Sequence, residues 1–288
     1  MPETPFSYRP APEAPEIAWP DGVPVAVWVA LNLEHYPIDR PGLSIVPVTA
    51  GNVPDPMNYG WRDYGARVGT FALVDLLDEL GLPVTAPVHS EVCSRYPQIV
   101  AAGVERDWAW MAHGENNAAV HVDLDVDDER RMLRDCVETI EAATGRRPRG
   151  WLGPALSETF NTPALLAELG LDYACDWCND DRPYDMTVPE GRVLSVPYSV
   201  ETNDVTLLLA RGWTGQQYGD TLIDQFEALR AVGRRSGVVM AIPLHAFLVG
   251  LPFRLGHLRR ALEHIAASGD AWFATADQIA DHYIAHHP

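Results

Sequence analysis

Short apolar runs alternate with amphipathic segments along most of the chain, and this alternation limits the possible fold more than any other feature of the sequence. The runs predicted as buried strands are residues 25–31, 83–88, 108–112, 171–174, 193–197, 205–209 and 238–244. The segments predicted as helices are residues 70–80, 126–144, 163–169, 221–232, 254–267 and 276–286. Repeated alternation of strand and helix is typical of a parallel sheet covered by helices.

The 288 residues fit one α/β domain of barrel type better than an open sheet with a second domain. No low-complexity linker divides the chain, and no internal repeat is visible. Residues 1–20 carry prolines at positions 2, 5, 10, 12, 15 and 20. Because proline breaks a helix, this segment is predicted to be an extended, exposed arm. The barrel domain is expected over residues 21–288.

Charge and hydropathy limit the partners that this chain can have. It contains 21 Lys and Arg against 40 Asp and Glu, a formal net charge of −19. This balance argues against nucleic acid as a partner, because phosphate binding needs a basic surface. The longest apolar stretches are about half of what a membrane span needs, and the acidic, proline-rich N-terminus lacks the features of a secretory signal. We therefore expect a cytoplasmic protein that binds neither nucleic acid nor membranes.

The four cysteines are too few for a disulfide scaffold in a chain of this length. Cys175 and Cys178 have the spacing of half a zinc knuckle, but no second pair completes it. A structural role is expected for these thiols.

Polar side chains follow four of the predicted strands. Glu34 and His35 follow the first, His113 follows residues 108–112, Asp180 lies beyond residues 171–174, and His245 follows residues 238–244. In α/β barrels the carboxyl ends of the strands carry the active site. Four such clusters predict an active site, although a single histidine after a strand is often structural and Asp180 could simply form a turn.

The order of these clusters resembles the polysaccharide deacetylase (NodB-homology) superfamily, whose fold is an irregular (β/α) barrel. The elements that carry the resemblance are Asn32-Leu33-Glu34-His35, His113-Gly114-Glu115-Asn116-Asn117, Arg149-Gly150-Trp151-Leu152-Gly153-Pro154, Asp176-Trp177 and Leu244-His245. The resemblance covers most of the chain beyond the arm and implies that barrel fold for it.

The metal-binding positions of the superfamily are altered in this chain. In metal-dependent deacetylases the second aspartate of the first motif and both histidines of the second motif bind a divalent ion, and those places here hold His35, His113 and Asn117. A neutral amide is a weak ligand, and no carboxylate in this set offsets the charge of a zinc ion. The resemblance therefore favours catalysis without a cofactor, with zinc held by these three residues as the alternative.

Two further elements are similar to the allantoinase-like branch of the superfamily, which is grouped with cyclic-imide hydrolases. They are Tyr64-Gly65-Ala66-Arg67-Val68-Gly69 and Asp180-Asp181-Arg182-Pro183-Tyr184. This similarity implies a hydrolase of non-peptide carbon–nitrogen bonds that acts on a small cyclic amide, imide or ureide. It also implies a homo-oligomer, a dimer or a tetramer. The proline-rich arm and the acidic helices independently suggest an exposed segment that could wrap a neighbouring subunit.

Hydrolysis of an amide-type bond needs an activated water, a stabilised oxyanion and a proton for the leaving nitrogen. Glu34 is the predicted general base, and Asp180 is the catalytic carboxylate that would replace it in this role. His245, on the last barrel strand, is the predicted proton donor. His113 and Asn117 are predicted to face the developing oxyanion.

Four other residues are predicted to bind substrate or to wall the site. Arg149 or Arg67 would orient a carbonyl or carboxylate group by bidentate contact. Trp151 and Trp177 would exclude water from the site, and packing in the core is an equally good interpretation of each tryptophan.

Two other functions stay open at this point. One is a metal-dependent deacetylase that removes N-acetyl groups from a sugar, and the other is a catalytically silent ligand-binding protein. The lack of export features counts against a cell-wall polymer as substrate. The presence of Glu34, His113 and His245 together counts against a silent binder. The sequence has no Gly-x-Ser-x-Gly element, which argues against a serine nucleophile.

Overall fold

The computed structural model describes residues 4–39, 47–49 and 51–288. Its centre is one nine-stranded sheet, curled into a half-barrel, with helices packed against it. The strands are β1 (Val25–Asn32), β2 (Val84–Val88), β3 (Ala109–Ala112), β4 (Gly150–Trp151), β5 (Tyr173–Ala174), β6 (Tyr184–Asp185), β7 (Leu194–Ser195), β8 (Val238–His245) and β9 (Ala271–Phe273). The strand order is β6-β7-β5-β4-β3-β2-β1-β8, with β9 also paired to β1, and the pairs are parallel except for β6 with β7.

Ten α-helices lie among the described residues. They are α1 (Pro56–Tyr64), α2 (Thr70–Leu80), α3 (Ser90–Arg95), α4 (Pro97–Glu105), α5 (Val126–Thr144), α6 (Thr162–Glu168), α7 (Gly215–Gly233), α8 (Ala246–Val249), α9 (Pro252–Ala267) and α10 (Ala276–His286). Two π-helical turns, Gly65–Gly69 and Val205–Ala210, lie between them. Within the described part of the chain, none of the helices has both the length and the apolar character needed to cross a lipid bilayer.

The central strand β1 is buried on both faces. All eight of its residues are buried, as expected for a parallel strand covered on both sides. Its odd-numbered residues from 25 to 31 belong to the core formed with the helices. Residues 26, 28 and 30 belong to a second core that includes Trp19 and Tyr283, from the N-terminal segment and α10.

The pairing of β1 with β8 positions the segments that follow both strands. The two strands are paired along their whole length, from Val25 opposite Val238 to Asn32 opposite His245. β9 and β2 share the other edge of β1, with β9 beside its first half and β2 beside its second half. Because parallel neighbours end together, the residues after β1 and β8 leave the sheet side by side.

The N-terminal segment, predicted as an exposed arm, packs on its own chain from residue 4 onward. The ring of Phe6 lies edge-on against Trp177, and Ile17 and Trp19 are buried. The backbone N–H of Gly237 donates to the carbonyl of Ile17 at 2.7 Å. The segment is largely extended, as its prolines predict, and the barrel covers Ile17 and Trp19, whereas Tyr8 stays exposed.

The fold class predicted from the sequence is confirmed, and α2, α5 and α10 have the predicted bounds. The prediction for residues 205–209 is wrong, since this run forms the π-helical turn Val205–Ala210 and not a strand. A run of four apolar residues and one threonine does not distinguish a short buried helix from a strand. Leu207 and Leu208 are buried in the helical form.

Candidate active site

The carboxyl ends of β1, β3 and β8 border a cavity of about 490 Å³. Four of the predicted site residues line it, namely Glu34, His113, Asn117 and His245. Glu34 lies two residues beyond β1, His113 directly follows β3, and His245 ends β8. The register that pairs the last residues of β1 and β8 brings Glu34 and His245 together.

Glu34 lies between two imidazole rings. Its Oε1 is 3.4 Å from His113 Nε2 and 3.6 Å from His245 Nε2, and its Oε2 accepts a hydrogen bond from the Tyr36 hydroxyl. Burial alone would raise the pKa of this carboxyl, but the charge of His245 and the hydrogen bond from its ring hold the pKa well below its ordinary value. Glu34 is therefore an ionised carboxylate that can accept a proton.

His245 is held by a second carboxylate, Asp204, which is not among the predicted residues. The ring Nδ1 lies 2.6 Å from Asp204 Oδ1, and the backbone N–H of His245 donates to Asp204 Oδ2 at 2.7 Å. Burial alone would lower the pKa of His245, but the charges of Asp204 and Glu34 raise it to about 10. His245 is therefore protonated near neutral pH and directs an Nε2–H group toward Glu34.

His113 and Asn117 present different groups to the cavity. His113 Nδ1 donates to the carbonyl of Leu152 at 2.5 Å, since a carbonyl oxygen can only accept. In the neutral ring Nε2 is then an acceptor, so His113 would donate to an oxyanion only in its doubly protonated form. The buried Nδ2 of Asn117 has no hydrogen-bond partner among the described residues, and this group is a donor available to a substrate oxygen.

Tyr36 and Arg62 also line the cavity and were not predicted. The Arg62 guanidinium lies 4.0 Å above the Tyr36 ring. Tyr36 directly follows the motif Asn32-Leu33-Glu34-His35, so its position near Glu34 could be predicted from the sequence. Arg62 lies in α1, a helix that the periodicity of the sequence did not indicate.

A third histidine, His89, completes a group that could hold a metal ion. A ring nitrogen of His89, one of His113 and a carboxylate oxygen of Glu34 all lie within 4.8 Å of one another. The His89 ring stacks on that of His113, with centroids 4.7 Å apart. Its Nδ1 accepts a hydrogen bond from the backbone N–H of His35 at 3.0 Å.

This hydrogen bond makes His89 a poor metal ligand. A ring nitrogen that accepts from a backbone N–H carries no proton and has its lone pair engaged, so the proton of the neutral ring lies on Nε2. Burial holds the pKa of His89 well below its ordinary value, so the ring is neutral. Glu34 and His113 can offer lone pairs to a cation, whereas neither nitrogen of His89 can, because Nδ1 is occupied and Nε2 carries the proton, so the three residues do not form a complete zinc site.

The metal set predicted from the sequence is not assembled. His35 Nδ1 lies 3.1 Å from the Tyr96 hydroxyl, and His35 Nε2 lies 3.5 Å from a carboxylate oxygen of Glu91. Leu33 is still bridged to β2, so successive side chains here point to opposite sides of the chain. Glu34 consequently faces the cavity, and His35 faces away from it.

Three other predicted residues lie outside the site. Arg149 precedes β4, at the amino end of the sheet, where it is paired with Asp281 and Asp172. Arg67 is exposed and paired with Asp63. Asp180 lies six residues beyond β5, accepts hydrogen bonds from Arg182 and borders a separate groove beside the N-terminal segment.

Neither predicted tryptophan lines the cavity. Trp151 is fully buried in the core formed with the helices, with its ring 5.6 Å from that of His121. The Nε1 of Trp177 donates to Glu158 at 3.0 Å, and its ring packs on Phe6. The packing interpretation therefore describes the surroundings of both side chains.

In the Tyr-Gly-x-Arg-Val-Gly element, the two glycines make the contacts with the segment after β8. A Cβ atom on Gly69 would lie 2.1 Å from the carbonyl oxygen of Ala246, and one on Gly65 would lie 2.8 Å from the backbone nitrogen of Phe247. Ala246 and Phe247 directly follow His245. The element thus packs backbone against the segment that carries the proposed acid, while Arg67 points to solvent.

Comparison with known proteins agrees with this geometry. Residues 51–174 match the family model of the polysaccharide deacetylases. A curated protein of Schizosaccharomyces pombe, provisionally named a polysaccharide deacetylase, is 27% identical over 302 residues, which cover 94% of this chain and 93% of the relative.

Two solved structures resemble nearly the whole chain. An allantoinase is 26% identical, with a TM-score of 0.85 and coverage of 96% of this chain and 95% of that one. A probable polysaccharide deacetylase from Pseudomonas aeruginosa PAO1 is also 26% identical, with a TM-score of 0.86 and coverage of 96% of each chain. With the half-barrel sheet and the motifs at its strand ends, these matches assign a polysaccharide deacetylase domain to residues 51–174 and the (β/α) barrel fold of that family to the chain.

Proposed function

We propose that this protein is a hydrolase that opens a small cyclic amide, imide or ureide by activating water with Glu34. The observation that carries the proposal is the pairing of an ionised carboxylate with a protonated imidazole, Glu34 with His245, in one cavity. Asp204 holds the far side of that imidazole. The base and the acid are then both in the protonation states that hydrolysis needs.

In the proposed reaction Glu34 takes a proton from water as the water oxygen attacks the substrate carbonyl carbon. The carbonyl oxygen becomes an oxyanion that faces the Asn117 amide. The carbon–nitrogen bond then breaks, and the leaving nitrogen receives the proton on His245 Nε2. Glu34 returns its proton to His245, 3.6 Å away, and both groups regain their starting states.

Three observations support a small ring as the substrate. The cavity of about 490 Å³ has the size of a small-molecule site. Its polar groups include the Asn117 amide and the Arg62 guanidinium, which can hold the several carbonyl oxygens of an imide or ureide. One of the most similar solved structures is an allantoinase, whose name fits this substrate class.

A metal-dependent N-deacetylase of an acetylated sugar is the second candidate function. The group formed by Glu34, His89 and His113 favours it, as does the likeness to a probable polysaccharide deacetylase. The hydrogen bond from the His35 N–H to His89 Nδ1 counts against it, because it leaves neither ring nitrogen of His89 with a free lone pair for a cation.

A hydrolysis screen of the purified protein separates the two candidates. Allantoin, hydantoins, succinimides and N-acetylhexosamines are each incubated with wild-type protein and with the E34Q variant. Ring opening of a cyclic substrate by the wild type alone, in the presence of a chelator, is the expected result. Release of acetate from an N-acetylhexosamine only after zinc is added would support the deacetylase instead and contradict the proposal.

A further inference from the structure

His89 carries a buried hydrogen-bond donor that the proposed reaction has not yet used. The side chain is 0% exposed, and its Nε2 has no hydrogen-bond partner among the described residues. An unpaired buried N–H group is costly, and native proteins nearly always satisfy such groups with protein or with ordered water. One ring nitrogen of His89 lies within 4.8 Å of a ring nitrogen of His113 and a carboxylate oxygen of Glu34, which connects this residue to two that line the cavity.

The three groups at this point are complementary to one water molecule. Atoms within 4.8 Å of one another can share a neighbour about 2.8 Å from each, which is a normal hydrogen-bond distance. Glu34 offers a carboxylate oxygen and His113 offers the Nε2 lone pair, so both can accept. His89 offers an N–H group and can donate.

We propose that the His89 atom of this group is Nε2, since Nδ1 is occupied by the His35 N–H, and that its N–H holds the attacking water between Glu34 and His113, which makes His89 a positioning residue. The inference rests on the proposed function, since it assigns the place of the water in that reaction. The water accepts one hydrogen bond from His89 and donates one each to Glu34 and His113. Its remaining lone pair is then free to form the bond to the substrate carbonyl carbon while Glu34 receives the proton.

The same arrangement gives His35 an indirect role through its backbone. Its N–H group occupies His89 Nδ1 and so fixes the proton of the neutral ring on Nε2. Stacking on His113 holds the plane of the His89 ring. The tautomer of His89 is therefore set by the main chain at the end of β1, which also carries Glu34.

Two variants of His89 test the proposal by kinetics. H89L removes the donor and should lower kcat about 10²-fold, in the range found for the loss of one fixed donor at a reacting oxygen. KM should change less than kcat. H89Q keeps a side-chain N–H group and should regain most of the lost kcat. An H89L protein with wild-type kcat, or an H89Q protein as slow as H89L, would overturn the proposal.

His121 is the matched control for these variants. It is also a buried histidine with an unpartnered Nε2, but it packs on Trp151 and does not belong to the group around Glu34. H121L should lower the melting temperature and leave kcat near that of the wild type. A fall of kcat in H121L equal to that in H89L would assign both effects to packing and contradict the proposal.

Nitrogen-15 NMR of histidine-labelled wild-type protein tests the tautomer without any substrate. The expected spectrum shows a neutral His89 ring with its proton on Nε2, unchanged when zinc is added. A proton on Nδ1, or a zinc-dependent shift of Nε2, would overturn the inference even if cyclic amides are hydrolysed. If no cyclic substrate is turned over but the Nε2–H tautomer is found, the proposed reaction fails while this tautomer assignment stands.

Discussion

Asp204 accepts two hydrogen bonds from His245, one from ring Nδ1 at 2.6 Å and one from the backbone N–H at 2.7 Å. Both contacts are buried, so the carboxylate fixes the ring and the end of β8 at the same time. Burial alone would lower the pKa of His245, but Asp204 and Glu34 raise it to about 10. The charge state of the proposed acid therefore depends on a residue that does not itself line the cavity.

The first prediction concerns the pH dependence of activity. The reaction needs Glu34 ionised and His245 protonated, so kcat/KM should be flat from about pH 5 to about pH 9 and fall at higher pH as His245 loses its proton. D204N removes the negative charge that raises the pKa of His245. The alkaline limb of the profile should then move down by roughly two pH units.

D277N is the control for this shift. Asp277 is also a buried carboxylate, but it accepts a hydrogen bond from the Tyr173 hydroxyl at 2.7 Å, away from the cavity. The pH profile of D277N should match that of the wild type. An alkaline limb that stays in place in D204N would contradict the role assigned to the pair.

The second prediction concerns the proposed base. E34Q keeps the size of the side chain but removes its negative charge, so kcat should fall about 10²- to 10⁴-fold, as expected for loss of a general base. The melting temperature should change little in comparison. Steady-state kinetics and thermal unfolding of the same preparation measure both effects.

E129Q is the control for E34Q, because it should affect stability and not turnover. Glu129 is buried and accepts hydrogen bonds from Thr159 and Thr162, but it does not line the cavity. E129Q should lower the melting temperature and keep wild-type kcat. A folded E34Q protein that turns over as fast as the wild type would remove Glu34 from the mechanism.

The sequence indicates the strand ends of the site but not its supporting contacts. Glu34, His113 and His245 could be predicted because each stands within two residues of an apolar run, where parallel strands end together. Asp204 could not be predicted. It directly precedes residues 205–209, and because the apolar pattern of this run fits a strand as well as a helix, the sequence does not show that Asp204 lies beside His245. Arg149 was wrongly placed because its motif begins at the amino end of β4, opposite the cavity.

The third prediction concerns which of three arginines binds the substrate. Arg62 lines the cavity, whereas Arg67 and Arg149 point elsewhere. R62K keeps the positive charge but loses the planar fork that holds two acceptors, so KM should rise about tenfold with a smaller change in kcat. R67K and R149K should keep the wild-type KM. An unchanged KM in R62K would exclude Arg62 from substrate binding.

Close packing at Gly69 explains why the segment after His245 depends on a distant part of the sequence. Gly69 lies in the π-helical turn between α1 and α2, and its Cα approaches Gly250 as well as Ala246. Side chains larger than hydrogen have no room between these backbones. The position of α8, and with it the end of β8, is set by this contact.

The fourth prediction follows from that contact. G69A would place a Cβ atom 2.1 Å from the carbonyl oxygen of Ala246, so the backbone next to His245 must shift. Overpacking of this kind costs about 1–3 kcal/mol of unfolding free energy, and kcat should fall with it. G60A is the control, because Gly60 is an exposed residue of α1 with no atom within 4 Å of its added Cβ. It should raise the unfolding free energy by about 0.5 kcal/mol and leave kcat unchanged. Denaturant unfolding and kinetics of both variants measure the contrast, and equal stability of the two would contradict it.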